Sequence, residues 1–176
     1  MPDRESMPYR PCVGIALFNR DGRVFIGSRK WEGDPEDSAA RQAPWQMPQG
    51  GIDKGEDPLA AARRELWEET NVRSVQLLGQ TEDWISYELP DDLLGVAFKG
   101  KYRGQRQLWF AFLFEGEESE IDVASPGDGT APAEFNSWRW EELDALPDLI
   151  VPFKRGIYLE VVAAFKHLPA TIRQNA

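Results

Sequence analysis

A chain of 176 residues with 41% apolar content is long enough for one domain with a real hydrophobic core. Its net charge of −10 argues against a sequence-independent grip on long nucleic acid, which rests on many phosphate contacts, but not against recognition of a nucleic-acid end by a few local cations. One cysteine, Cys12, excludes an intrachain disulfide, and no apolar run approaches membrane-spanning length.

In chain order, Met1 to Ser6 has no apolar signal-peptide core, so a cytoplasmic protein is expected. Residues 12–18 read as a strand apolar on both faces, 19–23 as a turn, and 24–27 as the returning strand. Residues 32–44 are polar, with Gly33, Pro35 and Pro44, and read as a loop insertion. A short strand at 45–47 feeds the Gly50-Gly51 turn. A helix follows, with Asp57 as N-cap, Pro58 in the first helical position, and Asn71 as a left-handed C-cap. Leu59, Ala62, Leu66 and Thr70 form its inward face. Strand character returns around Trp84, Ile85 and Tyr87, then in the apolar run 108–115 and at 135–140. A second helix is predicted over 152–168, with Phe153, Ile157, Val161, Phe165 and Leu168 on one face. His167 reads as a surface residue. Strands interspersed with two helices suit an α/β fold, a mixed sheet covered on both faces.

The first helix carries the chemistry. Glu65, Glu68 and Glu69 are spaced i, i+3, i+4 and share one helical face. Carboxylates crowded there repel one another unless a cation sits between them. Oxygen-only ligands suit a hard divalent ion such as Mg²⁺ working beside substrate phosphates. Gly50-Gly51 allows close backbone approach, so its carbonyls come within reach of the same ion. A solvated acidic face is the ordinary fate of such charges, but the fixed offsets of Gly50, Glu56 and Arg64 argue against it here.

This segment resembles the Nudix box, Gly-x5-Glu-x7-Arg-Glu-U-x-Glu-Glu-x-Gly-U with U aliphatic. Residues 50–72 match every defined position but one, where Asn71 replaces the last glycine. Asn tolerates the same backbone region, so a small structural cost and no loss of chemistry are expected. The resemblance implies an α/β/α sandwich and hydrolysis of nucleoside diphosphate derivatives. It implies Mg²⁺, with Mn²⁺ or Zn²⁺ as substitutes, on Gly50, Glu65, Glu68 and Glu69. It also implies a catalytic base at Glu65 or Glu68, and a supporting Arg64 paired with Glu56.

Further motifs resemble the branch of that superfamily holding bacterial RNA pyrophosphohydrolases and asymmetric dinucleoside tetraphosphate hydrolases. They are Tyr9-Arg10-Pro11, Trp45 to Gly51, Tyr87 to Pro90, Tyr102 to Phe110 and Pro152 to Arg155. The similarity covers roughly residues 9–166, within one domain spanning 1–176. It implies a nucleotide polyphosphate or an RNA 5′ end as substrate, without membrane association. Arg10 becomes a phosphate or base contact, Lys154 a phosphate contact, Tyr102 and Phe153 base platforms, and Glu120 an extra carboxylate reaching the metal from another loop. Arg29, Lys30, Arg41, Lys99, Lys101, Arg103 and Arg106 are expected to supply a cationic rim, with Arg29 touching substrate. Hydrolysis of modified mononucleotides and a non-catalytic nucleotide-sensing module are the alternatives. The preferred substrate, the number of metals and the oligomeric state stay open at this level.

Overall fold

A computed structural model describes residues 3–29 and 45–176, the Arg29 side chain excepted. The expected 32–44 loop, Lys30 and Arg41 lie outside the described residues. The strands are β1 (Tyr9–Phe18), β2 (Val24–Arg29), β3 (Trp45–Gln46), β4 (Gln49–Gly51), β5 (Val75–Gln80), β6 (Ile85–Glu88), β7 (Gly104–Phe114) and β8 (Phe135–Glu141). The α-helices are α1 (Pro58–Thr70), α2 (Arg155–Phe165) and α3 (Leu168–Asn175).

One mixed sheet in the order β3-β2-β1-β7-β5 carries β4 beside β1, β6 beside β7 and β8 beside β2. Its spine is the parallel pair β1–β7, in register from Tyr9↔Gly104 to Phe18↔Leu113. Parallel strands are covered on both faces, which is why 12–18 is apolar throughout. Val13, Ile15, Leu17, Phe110 and Phe112 pack with Ala61, Ala62 and Leu66 of α1. Ala16, Phe18, Trp109 and Ala111 pack on the other face with Ile157, Tyr158, Val161 and Phe165 of α2 and Leu168 and Ile172 of α3. The result is the expected α/β/α sandwich. Among the described residues no helix is long and apolar enough to cross a membrane.

The neighbours of the spine change along its length. The first half of β1 pairs with β4, from Cys12↔Gly51 to Gly14↔Gln49, whereas its end meets β2 at Phe18↔Val24. The first half of β7 pairs with β6, and its second half with β5. This exchange of partners leaves β4 paired with β1 alone, facing α1.

Several elements depart from expectation. β1 starts at Tyr9 rather than Cys12, because Tyr9, Arg10 and Pro11 pair with Gly104, Gln105 and Arg106. The predicted 152–168 helix is a 3₁₀ turn at Pro152–Lys154 followed by α2, and α3 follows unforeseen. Pro152 and Pro169 each lack an N–H and have a fixed φ, so each opens a new helical segment. Phe153 leaves the core face and is 39% exposed, while Tyr158 takes its place there.

The caps of α1 form as its sequence predicts. Asp57 Oδ2 accepts from the Ala60 N–H at 3.0 Å, and Asn71 adopts φ 70°. Asn71 also does what glycine cannot. Its Nδ2 donates to the Glu120 carbonyl at 3.0 Å, and its Oδ1 accepts from the Gly127 N–H at 3.2 Å. Two loops are thereby tied to the end of α1. Asn71→Gly relieves left-handed strain but removes two hydrogen bonds, each contributing about 0.5–1.5 kcal/mol. The expected net loss is about 1 kcal/mol, a fall in Tm of roughly 2–4 °C. Asn71→Ala, which also keeps the strain, should lose more. A glycine variant melting at or above the wild-type temperature would contradict this role.

Candidate active site

α1 brings Glu65 and Glu69 against β4 and Glu68 onto Arg64. A Cβ added to Gly50 would lie 2.1 Å from the Glu65 carboxyl carbon, so only glycine lets that carboxylate press onto the strand. The Gln49 N–H donates to Glu69 Oε2 at 3.3 Å, holding a second, buried carboxylate against the same strand.

One guanidinium organises the rest. Arg64 Nε and Nη2 donate to the two oxygens of Glu56, both at 2.9 Å, which is the pair expected from sequence. Arg64 Nη1 donates to Glu65 at 2.9 Å and to Glu68 at 3.1 Å, and Nη2 also donates to the Gly51 carbonyl at 2.9 Å. Asp53 stands 3.7 Å from Nη2. The Glu56 carboxyl is held below its ordinary value, chiefly by the Arg64 hydrogen bonds. The Glu65 carboxyl is pushed up to about 7, first by burial and further by Glu68, against the pull of Arg64 and Arg10.

These residues fit a divalent cation in donor chemistry. Glu65, Glu68, Glu69 and the Gly50 carbonyl offer oxygen only, and one Arg64 does not neutralise Asp53, Glu56, Glu65 and Glu68 together. The side chains are drawn to their protein partners rather than to one point. Among the described residues, no three acidic, histidine or cysteine groups are gathered as a finished metal cage.

A cleft of about 410 Å³ opens beside the cluster, lined in part by Arg10, Gly51, Asp53, Lys54, Glu65 and Tyr102. That volume suits a nucleotide-sized ligand. Arg10 is pinned in it. Its guanidinium lies 5.1 Å from the Phe98 ring centroid, and a Cβ on Gly51 would sit 2.5 Å from its Nη2. Phe98 achieves this with a left-handed backbone, φ 54°, and also packs edge-on to Tyr102 at 6.4 Å. Cys12, fully buried beside Arg10, has its thiol raised to about 11 by burial and is an unreactive wall.

Phe153 and Lys154 are placed together at a second position. The Phe153 ring lies 5.9 Å from that of Tyr87, and Lys154 Nζ lies within 5.9 Å of both ring centroids. Arg29 closes β2, and its side chain lies outside the described residues. Arg103 is not a free rim cation: it pairs with Glu88 and covers the Tyr9 ring, while Arg106 covers Trp84.

The expected position of Glu120 needs correction. Its carboxylate is not with Glu65, Glu68 and Glu69 but at the C-terminal end of α1. There Oε1 accepts from Ser74 Oγ at 2.9 Å and from the Arg73 N–H at 3.4 Å. Oε2 is buried, with no hydrogen-bond partner among the described residues, and aimed where a Cβ on Gly116 would be. The 3₁₀ turn Glu118–Glu120 folds against the Asn71 cap and carries Glu120 with it. Sequence reasoning also passed over Phe98, and the buried amides of Gln105 and Gln107, the latter bonded to Gln49. The alternation of Gln105, Gln107 and Trp109 along one strand was the available signal.

Comparison with known proteins agrees with this geometry. The NUDIX domain family matches residues 8–161. The chain is 60% identical over 166 residues to the RNA pyrophosphohydrolase of Mesorhizobium japonicum, covering 94% of this chain and 95% of that one. It is 58% identical over 164 residues to the RNA pyrophosphohydrolase of Rhizobium meliloti, covering 93% and 97%. Among solved structures, an Ap4A hydrolase of C. elegans in a binary complex superposes with TM-score 0.58 at 18% identity, over 90% of this chain and 98% of that one. The E. coli dihydroneopterin triphosphate pyrophosphohydrolase gives TM-score 0.59 at 19% identity, over 87% and 95%. The two structural matches bear on the fold alone. With a family match over most of its length and relatives this similar end to end, the chain belongs to the NUDIX domain family of hydrolases.

Proposed function

We propose that this chain is a divalent-metal-dependent pyrophosphohydrolase. It removes pyrophosphate from 5′-triphosphate RNA, leaving 5′-monophosphate RNA. It also cleaves dinucleoside tetraphosphates to a nucleoside monophosphate and triphosphate. The observation that carries the reading is the carboxylate cluster of α1 opening onto a cleft that holds both Arg10 and Tyr102. The high identity to RNA pyrophosphohydrolases supports RNA ends as the first substrate, and a cytoplasmic location fits such a substrate.

Glu65, Glu68, Glu69 and the Gly50 carbonyl would hold Mg²⁺, with Mn²⁺ or Zn²⁺ as substitutes. A bound divalent ion supplies neutralisation of phosphate oxygens and acidification of the attacking water. Glu65, the α1 carboxylate that lines the cleft, takes the proton. Arg64 keeps Glu65 and Glu68 oriented. Arg10, Arg29 and Lys154 bind phosphates. Tyr102 and Phe153 stack bases.

Purified protein with Mg²⁺ should release pyrophosphate from 5′-triphosphate RNA, and absence of release by folded protein would overturn the reading. Excess chelator should stop turnover while the far-UV helix signal persists, since α1 carries its own caps and packing face. Glu69→Gln should lose about 10²-fold or more in kcat. Glu120→Gln should cost less than about ten-fold, in keeping with its attachment to Ser74.

The base platforms separate the substrates. Tyr102→Ala should lower kcat/KM for the dinucleoside polyphosphate by about 1–3 kcal/mol, with a smaller effect on RNA, and Phe153→Ala should do the reverse. No loss in either variant would make both rings packing residues.

Two carboxyls give opposite pH signatures in metal-free protein. The folded Glu65 value lies above the ordinary 4.5. Its stabilising contribution is therefore full below that ordinary value and is lost as pH rises through about 7. Glu56 is depressed, so its contribution is present above 4.5 and lost only as pH falls below it. Melting curves in chelator from about pH 5 to 8 should show Tm falling as pH rises, and Glu65→Gln should flatten that slope. A Tm rising across the window, or a slope untouched by Glu65→Gln, would contradict this.

A further inference from the structure

Three glutamine amides lie in a row beside the candidate site, and one indole fixes the direction of each. Trp109 Nε1 donates to Gln107 Oε1 at 2.9 Å. An indole nitrogen only donates, so the Gln107 oxygen must face Trp109 and its NH₂ group must face away. That NH₂ group donates to Gln105 Oε1 at 2.8 Å and to Gln49 Oε1 at 3.2 Å. Gln49 therefore turns its oxygen inward and its own NH₂ group outward.

The anchor of this relay is immobile. Trp109 and Gln107 are buried. A Cβ on Gly14 would lie 2.3 Å from the Trp109 ring, and Tyr158 packs edge-on to it at 5.8 Å. An amide free to flip in water is thus given one polarity by its packing.

Gln49 sits in β4 immediately before Gly50, half-buried, with its backbone N–H on Glu69. Its side chain borders a void of about 10 Å³ together with Lys154. Among the described residues no acceptor takes the Gln49 NH₂ group. A donor of fixed direction therefore stands beside a void that Lys154 also lines, on a residue whose backbone N–H holds Glu69. Phosphate oxygens accept hydrogen bonds and never donate when ionised, so this polarity matches them and the flipped amide would repel them.

We propose that Trp109 and Gln107 hold the Gln49 amide as a hydrogen-bond donor to a non-bridging oxygen of the substrate's polyphosphate. Gln49 touches substrate, and Gln107 is a positioning residue acting through it. The inference rests on the polyphosphate hydrolysis proposed above.

Gln107→Glu tests the relay. A carboxylate still accepts from Trp109 but donates nothing, so Gln49 turns its NH₂ inward and its oxygen toward the phosphate. KM for 5′-triphosphate RNA should rise about ten-fold, with kcat changed much less, and Gln49→Met should raise KM similarly. Protonation of the buried carboxyl that this substitution introduces restores a donor, so the Gln107→Glu to wild-type KM ratio should shrink as pH falls from about 8 to about 5.5. The Gln49→Met ratio should stay flat, which separates positioning from a structural defect. Wild-type KM in Gln49→Met, or a pH-independent ratio in folded Gln107→Glu, overturns the inference. Gln49→Met removes only a half-buried amide and decides the matter alone if Gln107→Glu does not fold. Should the wild type fail to cleave RNA, the parent reading falls by itself. Calorimetric titration of inorganic tripolyphosphate with Mg²⁺ into wild type and Gln49→Met then decides this inference, about ten-fold weaker binding supporting it and equal binding overturning it.

Discussion

Four carboxylates share one guanidinium in this protein, and the site depends on that imbalance. Arg64 touches Glu56, Glu65 and Glu68, lies within 4 Å of Asp53, and hydrogen-bonds the Gly51 carbonyl. It joins the loop before α1, the acidic face of α1 and β4 into one unit. Breaking such a partly buried network leaves uncompensated charge, which costs far more than an exposed pair contributes. The same guanidinium cannot balance the charge gathered around it. The residual negative potential, beside desolvated Glu65, favours positive charge at this point.

Strand β4 connects that unit to the cleft. It has three residues, and successive side chains point to opposite faces. Gly50 faces Glu65, whereas Gly51 faces Arg10. Gln49, on the Gly51 face, turns its side chain to Gln107 and its N–H to Glu69. A residue with a side chain at either glycine would push a charged group from its place. The α1 carboxylates and Arg10 thus meet across a single strand, which pairs with β1 before β1 meets β2 at its end. Around this strand the aromatic groups fall into two sets, Phe98 with Tyr102 and Tyr87 with Phe153. Each holds a cation, Arg10 in one and Lys154 in the other. Cations stacked on rings keep their charge while losing mobility, which suits them to receive phosphate.

Around α1 the sequence by itself determined what depends on neighbours within about two helical turns. The span of α1, its Asp57 and Asn71 caps, the shared face of Glu65, Glu68 and Glu69, and the Arg64–Glu56 pair all follow from spacing on a helix and the turn before it. The continuous apolar runs of β1 and β7 likewise announced strands covered on both sides. Tertiary structure decided the rest, because those contacts join residues whose separation carries no periodic signal. Glu120 went to Ser74 rather than to the acidic cluster, since a short turn after β7 docks on the Asn71 cap. Phe98 reached Arg10 only through a left-handed backbone that no aromatic residue adopts by local preference. Gln49 and Gln107 stand 58 positions apart, and nothing in either residue states which end of its amide will face the other. That choice belongs to Trp109, a donor with no acceptor to offer, buried between Gly14 of β1 and Tyr158 of α2.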